Sequence, residues 1–175
     1  MSYRLKSLIL LAALPLCVIT MSREAAASDR AEGVTKSLVL FWNESRTDNF
    51  TVASARGMSD CLHDKYRLAR LECAIFDARE PGTVPLKLYW NGKRTDNFST
   101  VTAEGERAAK AGGYQFVRIQ GYVYPYARPG TIPLKLYWNA QRMDNFSTAT
   151  AEGARAAKAG GYRFVRIQGY VLPLK

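Results

Sequence analysis

Four residue types that can bind a small molecule occur together in one short stretch, at Trp90, Arg94, Asp96 and Asn97. A tryptophan ring offers a large apolar face on which a sugar ring can stack. Carboxylate and amide groups can hold neighbouring hydroxyl groups in pairs. The set therefore predicts a small carbohydrate-binding site.

The same set recurs 48 positions earlier and 48 positions later in the chain. The earlier copy is Trp42, Arg46, Asp48 and Asn49, and the later copy is Trp138, Arg142, Asp144 and Asn145. A single shallow site would be weak, but several sites on one body gain affinity for a repeating glycan through avidity. We therefore expect up to three equivalent weak sites for a glycan or cell-surface polysaccharide.

The side chains expected to contact a ligand lie in the turn and on the polar face of the preceding strand. In the strand Pro85–Asn91, Tyr89 and Asn91 alternate with two leucines and Trp90, so the tryptophan is expected in the core rather than at the ligand. Asp and Asn side chains also fix turns through local hydrogen bonds, which is a second interpretation for them. The candidate ligand-binding residues are Tyr89, Asn91, Arg94, Asp96, Asn97, Tyr122, Tyr137, Asn139, Arg142, Asp144, Asn145 and Tyr170.

The sequence contains few residues that could act in catalysis. His63 is the only histidine, and no nucleophile motif accompanies it. A glycosidase needs two carboxylates in different environments at one site, whereas the repeat distributes identical aspartates over three units. We expect no enzymatic activity, no metal and no cofactor.

Charge supports a different kind of partner. Without the first 27 residues the chain has 22 basic and 14 acidic residues, a net charge of about +8. A basic surface favours anionic polymers, although it also serves solubility. Because the chain is expected to be exported, nucleic acid is not expected as its ligand. An anionic-polymer binder, or a protein-interaction module of the inhibitor or toxin-targeting type, remains an alternative to carbohydrate binding.

The elements that must position these residues repeat with the same period. Residues 85–123 differ from residues 133–171 at six of 39 positions. We divide the chain into unit 1 (about 37–84), unit 2 (85–132) and unit 3 (133–175), within a single domain of residues 28–175. Unit 3 has no polar cap, which favours closure of three units over an open solenoid.

The sequence of each unit predicts the order strand–strand–helix–strand. The last segment is expected to form one strand or two. Alternation of apolar and polar residues predicts the first strand, and Gly92 allows a turn with positive φ. Thr102 is the expected N-cap of the helix, which should end at Gly112 and Gly113. The predicted fold is mainly β, a pseudo-threefold, β-trefoil-like domain with one short helix per unit. A short run of β-β-α-β blades is the second choice.

The first 27 residues have the layout of a secretory signal peptide. Arg4 and Lys6 precede the apolar run Ser7–Thr20, and Ala25 and Ala27 have the spacing of a cleavage site. We expect secretion after cleavage near Ala27, with no transmembrane segment in the mature chain. A retained membrane anchor is the alternative.

Two cysteines follow the predicted cleavage site, Cys61 and Cys73. Exported chains meet an oxidising compartment, so we expect a disulfide between them. The alternative is a pair of small buried thiols. Neither cysteine belongs to a metal-like cluster, which argues against zinc.

The repeated pattern LYWNxxRxDNFSTxTAEGxxAAxAGGYxFVRIQGYV resembles a repeat family of secreted bacterial and fungal proteins. Members of that family often contain three tandem units and have largely unassigned function. Their company with secreted enzymes and adhesins implies carbohydrate or surface binding. Unit 1 departs from the pattern most, with Ala74 in place of Tyr122 and Tyr170.

Overall fold

The computed structural model describes residues 33–174, so the predicted signal peptide lies outside the described residues. The described chain is mainly β, and each unit has the predicted order of two strands, a helix and a strand. Unit 1 contains β1 (Thr35–Asn43), β2 (Asp48–Val52), α1 (Ala55–His63) and β3 (Arg67–Phe76). Unit 2 contains β4 (Val84–Asn91), β5 (Asp96–Thr100), α2 (Ala103–Ala111) and β6 (Gln115–Val123). Unit 3 contains β7 (Ile132–Asn139), β8 (Asp144–Thr148), α3 (Ala151–Ala159) and β9 (Arg163–Val171).

The helix ends follow the sequence signals. The hydroxyl of Thr102 accepts a hydrogen bond from the backbone N–H of Gly105 at 2.9 Å, which satisfies one of the unpaired first-turn donors. Gly112 is the C-cap of α2, and Gly113 follows with a φ of 78°. Glycine adopts that left-handed conformation at little cost, so the chain leaves the helix there. Among the described helices none is long and apolar enough to cross a membrane.

The hairpin turn differs from its prediction. The positive φ falls on Thr95, at 54°, and not on Gly92. The reason lies in Asn91, whose Oδ1 accepts the backbone N–H groups of Lys93 and Arg94 at 2.9 and 3.1 Å. This side chain holds the first part of the turn, and the chain completes its reversal at Thr95.

The first strand of each unit lies between the other two, and the pairing is antiparallel. Bulges after Leu86 and Leu88 interrupt the pairing of β4 with β6, which increases the local twist. The strands form one sheet of order β2-β1-β3-β6-β4-β5 and a second of order β8-β7-β9. These sheets do not close into a barrel, so the β-trefoil-like description is not confirmed.

The three units contact one another in a cycle through the ends of their third strands. The backbone pairs are Phe76 with Tyr122, Tyr124 with Tyr170, and Leu172 with Ala74. The three pairs are equivalent under the 48-residue step, and the last pair joins unit 3 to unit 1.

One buried polar side chain per unit reinforces this cycle. Gln120 of β6 donates to the carbonyl of Thr51 in unit 1 at 2.7 Å. Gln168 of β9 donates in the same way to the carbonyl of Ser99 in unit 2, at 2.6 Å. Glu72 of β3 holds the equivalent position and accepts hydrogen bonds from donors that precede α3 in unit 3. Each unit therefore binds both of the others.

The core is shared among the units. Leu38, Leu86 and Leu134 hold equivalent positions, are at most 1 % exposed, and pack in one cluster with Val123 and Val171. A leucine from one unit is thus covered by the other two, and burial of such a side chain contributes about 1.5–3 kcal/mol.

The predicted disulfide is wrong. Cys61 and Cys73 are buried and unbonded. Cys61 packs beside Tyr66 and Leu88, whereas Cys73 lies in the shared core beside Leu38. Burial raises the pKa of both thiols, which keeps them protonated and unreactive at neutral pH.

Close approach of helix and strand requires glycine at position 105. A Cβ there would lie 1.9 Å from Oγ1 of Thr100. We expect Gly105→Ala to lower the free energy of unfolding by about 1–3 kcal/mol, because the added methyl group forces α2 away from β5. At the control position Gly92 the nearest atom to a Cβ is 3.5 Å away, so Gly92→Ala should change it by less than about 0.5 kcal/mol. Equal losses in urea unfolding of the two variants would contradict this packing argument.

Candidate ligand-binding site

An arginine in the hairpin turn of each unit lies beside aromatic rings. In unit 2 the guanidinium of Arg94 lies over Tyr114 at 5.6 Å and over Trp138 of unit 3 at 5.8 Å. Arg142 makes the equivalent contacts with a tyrosine of unit 3 and a tryptophan of unit 1. Cation–π contacts of this kind fix the position of a guanidinium group. The tryptophans are half-buried, so the prediction that they belong to the core is wrong.

The cavity between units 2 and 3, which we call cleft 2–3, has a volume of about 220 Å³. Its walls are Arg94, Phe98, Ala108, Tyr114, Leu136, Trp138, Asn145, Val165 and Arg166. These residues combine three aromatic rings, other apolar side chains, one amide and two guanidinium groups. None of them carries a carboxylate.

Two hydrogen-bond donors of Arg166 in cleft 2–3 are unsatisfied within the described part of the protein. Its Nε and Nη1 atoms are buried and make no hydrogen bond with another described residue. The carboxylate of Glu104 is 3.4 Å from Nη1 and sits on an exposed side chain, a distance beyond that of a charge-assisted hydrogen bond. The guanidinium group of Arg166 therefore lines cleft 2–3 with two donors that no described residue satisfies.

The equivalent cavity between units 1 and 2, cleft 1–2, has a volume of about 190 Å³ and a different charge. Arg46 pairs with Asp64 and Arg118 pairs with Asp60, each at 2.9 Å. Both guanidinium groups of this cleft are thus neutralised within the protein.

A change in α1 explains this difference. Units 2 and 3 have Glu104 and Glu152 in the first turn of their helices, whereas unit 1 has Arg56 at that position. Asp60 follows Arg56 by one helical turn and supplies the carboxylate that Arg118 binds. The helix carboxylate that pairs with the third-strand arginine therefore lies one turn later in unit 1 than in units 2 and 3, and it lines the cleft.

The contact between units 3 and 1, cleft 3–1, is intermediate. Arg142 has no carboxylate within 4 Å among residues 33–174, whereas Arg70 pairs with Glu72 at 3.0 Å and Glu152 at 3.1 Å. One guanidinium group, that of Arg142, is therefore unpaired here, and Arg70 is held by two carboxylates. In cleft 2–3 the guanidinium group of Arg94 forms no ion pair with a described residue, and that of Arg166 is paired only with the exposed Glu104 at 3.4 Å.

The tyrosine beside each turn arginine also contacts a buried aspartate. The hydroxyls of Tyr66, Tyr114 and Tyr162 donate to Asp48, Asp96 and Asp144 respectively. Burial raises the pKa of each tyrosine, so the hydroxyls remain donors at neutral pH. The tyrosines therefore connect the clefts to a central group of carboxylates.

Asparagines of neighbouring units bind the same aspartates across the unit boundaries. Asn145 donates through its backbone N–H and its amide to Asp96, at 3.0 and 2.6 Å. Asn49 donates in the same way to Asp144, at 3.1 and 2.8 Å. Burial raises the pKa of all three aspartates above the ordinary value of 3.8, and the charge of Asp144 adds to the rise for the other two.

The tyrosines predicted on the solvent face of the strand are covered. Tyr89 is 5 % exposed and packs against Phe98 and Ala109 of α2, so the expected solvent exposure is wrong. Tyr137 is partly buried beside Phe146. The helix of each unit lies over this face of its own sheet. Alternation of residues along a strand cannot show that a helix covers one of its faces.

The other candidates divide between turns, clefts and strand ends. The amides of Asn91 and Asn139 are buried and donate to the carbonyls of Gly112 and Gly160, at 2.7 and 2.9 Å, so they hold turn and helix together. Asn97 and Asn145 line clefts 1–2 and 2–3. Tyr122 and Tyr170 take part in the backbone contacts between units. They lie at the opposite end of the third strands from Gln115 and Arg163, which pair with the tryptophans.

Sequence reasoning missed Tyr114 and Arg166 as cleft residues. Both recur at the 48-residue step, as Tyr66 and Tyr162 and as Arg70 and Arg118. Retention of a polar side chain in every unit was the signal that could have identified them.

A family model described as "Domain of unknown function (DUF5648)" matches residues 37–172. Neither the curated proteins nor the solved structures contain a match to this chain.

Proposed function

The chain belongs to this family of unknown function. From the geometry of its clefts we propose that it is an exported, non-enzymatic domain that binds carbohydrate. The proposal includes a pseudo-threefold arrangement of the three units, which the cyclic strand contacts support. The clefts between units, rather than the hairpins alone, are the proposed binding sites.

Cleft 2–3 carries the proposal. The ring of Trp138 offers an apolar face for a sugar ring. The amide N–H groups of Asn145 bind Asp96 and Tyr114, and its amide oxygen offers an acceptor for a sugar hydroxyl. Arg94 and Arg166 face the same cavity without a carboxylate in its lining. A cavity of about 220 Å³ is large enough for part of an oligosaccharide and not for a folded partner.

The two guanidinium groups favour an acidic sugar as the ligand. Guanidinium binds carboxylate and sulfate oxygens in pairs, with hydrogen bonds stronger than those between neutral groups. We infer that an acidic glycan, with uronic acid or sulfated sugars, is the ligand of cleft 2–3. This class also agrees with the basic composition of the chain.

The lining of the cavities supports a binding role rather than catalysis. Cleft 2–3 contains neither a histidine nor a carboxylate. In cleft 1–2 the two carboxylates, of Asp60 and Asp64, are each held by an arginine. Neither cavity therefore provides a pair of free carboxylates for general acid–base hydrolysis.

The experiment is calorimetric titration of acidic and neutral oligosaccharides, with Arg94→Ala/Arg142→Ala compared with Arg107→Ala/Arg155→Ala. Arg107 and Arg155 are exposed on helices and line neither described cavity, so both variants lose the same charge. We expect the first variant to bind uronic acid oligosaccharides at least about tenfold more weakly, since one charge-assisted hydrogen bond contributes about 1.5–3 kcal/mol. The control variant should bind as the wild type does.

Two outcomes would contradict the proposal. Absence of binding to every acidic and neutral oligosaccharide would remove the carbohydrate assignment. Equal loss in the two variants, with steep dependence on salt, would instead identify a polyanion binder that acts through its whole basic surface.

A protein-interaction module is the second candidate, and one observation favours it. Phe116 and Phe164 are 55 % exposed at equivalent positions of β6 and β9. Exposed large apolar side chains that lie close together are a common feature of interaction surfaces. Substitution of both phenylalanines by serine should leave oligosaccharide binding unchanged if the clefts are the functional sites.

A further inference from the structure

Three aspartates, one from each unit, meet at the centre of the molecule. Asp48, Asp96 and Asp144 are at most 2 % exposed, and one carboxylate oxygen of each lies within 4.8 Å of the others. In the described part of the chain none of them forms an ion pair with a lysine or arginine. Like charges this close in a buried place cost free energy unless something neutralises them.

One oxygen in this group has no partner. Oδ1 of Asp48 is buried and makes no hydrogen bond with any described residue. The equivalent oxygens of Asp96 and Asp144 accept backbone N–H groups from Asn145 and Asn49. One carboxylate oxygen of Asp48 lies within 4.8 Å of an oxygen of Asp96 and of Asp144, so the carboxylate group faces the cluster.

The hydrogen bonds at the other two aspartates favour their ionised forms. Asp96 accepts three hydrogen bonds, from Tyr114 and from two groups of Asn145. Asp144 accepts the same three from Tyr162 and Asn49. Donors on two or three sides stabilise a carboxylate relative to a carboxylic acid. They also orient it, as the outer partners of a metal ligand do.

From this geometry we propose that Asp48, Asp96 and Asp144 together bind a divalent cation of the calcium class. The available ligands are all carboxylate oxygens, which hard cations prefer and zinc or copper do not. Calcium binds oxygens at about 2.3–2.6 Å, so two of its ligands are at most about 5 Å apart. The separation of the three oxygens is compatible with that limit.

Such an ion links the three units directly. Each unit supplies one ligand, and each ligand aspartate other than Asp48 is held by an asparagine of a neighbouring unit. The cation therefore stabilises the closed arrangement, whereas an isolated unit offers it a single carboxylate. The site differs from the clefts, and its failure would leave the carbohydrate proposal intact.

The first test is thermal unfolding of the full chain after treatment with chelator, at constant ionic strength. We expect the Tm to rise with the logarithm of calcium concentration, because a ligand that binds only the folded state stabilises it by mass action. We also expect terbium, added as a calcium substitute, to show luminescence excited through the tyrosines, since three tyrosine hydroxyls bind the proposed ligands.

Asp48→Asn is the variant that separates the proposal from its alternatives. It preserves side-chain volume and removes one ligand charge, so it should lose the calcium-dependent rise in Tm and weaken terbium binding more than tenfold. Asp77→Asn is the control, because Asp77 is exposed and pairs with Lys36 on the surface. It should behave as the wild type does.

The calcium dependence of the wild-type Tm tests the proposed cation site even if Asp48→Asn fails to fold. A wild-type Tm that is unaffected by chelator, calcium, magnesium and manganese would overturn the proposal. Terbium luminescence that is equal in Asp48→Asn and Asp77→Asn would overturn it as well. In either case shared protons, rather than a cation, neutralise the three carboxylates.

Discussion

Glu72→Ala is expected to lower the free energy of unfolding by about 3–5 kcal/mol, the usual loss when one member of a buried charged pair is removed. The Glu72 side chain is fully buried at the contact between units 1 and 3. Its Oε2 accepts the hydroxyl of Thr148 at 2.7 Å and the backbone N–H of Ala149 at 3.1 Å. Its Oε1 is 3.0 Å from Nε of Arg70, an ion pair without the geometry of a hydrogen bond.

The matched control for this prediction is Glu152→Ala. Glu152 also pairs with Arg70, at 3.1 Å, but its side chain is 73 % exposed. Exposed ion pairs contribute less than about 1 kcal/mol, so the loss should stay below that value. Urea unfolding monitored by tryptophan fluorescence measures both variants. Similar losses for the two would show that the buried contact does not hold units 1 and 3 together.

The second large effect is a gain of binding at cleft 1–2. Asp60→Ala/Asp64→Gly gives unit 1 the residues that unit 3 has at the equivalent positions, Ala156 and Gly160. The substitutions release Arg46 and Arg118 from their carboxylate partners. We expect affinity for acidic oligosaccharides at this cleft to rise at least about tenfold, since a charge-assisted hydrogen bond contributes about 1.5–3 kcal/mol.

Calorimetry should record this gain as one additional ligand per chain. Asp77→Ala/Glu106→Ala is the control, because it removes two acidic groups that line neither described cavity. Alanine already occupies the position equivalent to Glu106 in unit 3. If the control gains affinity to the same extent, net charge and not the release of the two arginines is responsible.

The proposed sites are expected to differ in affinity from one cleft to the next, for the same physical reason. The repeated residues are equivalent in sequence, but each cleft combines residues of two consecutive units. Divergence of α1 in unit 1 therefore changes cleft 1–2, where Asp60 meets Arg118 of unit 2. Reading one unit at a time cannot reveal this, because the affected arginine is 58 residues away.

The order of the elements and the ends of the helices followed from the sequence, whereas the position of the positive φ in the hairpin turn did not. The order of strands and helix in each unit depends on alternation, on an N-cap such as Thr102 and on the glycine pair that ends the helix. These signals act over a few residues, so neighbouring side chains are sufficient to specify them. The mainly β class and the boundaries of the elements follow from them.

The tertiary structure alone decided which faces are covered and which residues meet. Tyr89 and Leu88 are both buried although they alternate, because α2 covers one face of β4 and unit 1 covers the other. Cys61 and Cys73 belong to separate clusters. The three aspartates lie 48 residues apart in sequence, and only the packing of the three units against one another brings their carboxylates together. Contacts of such range depend on the packing of whole units, and no local pattern encodes them.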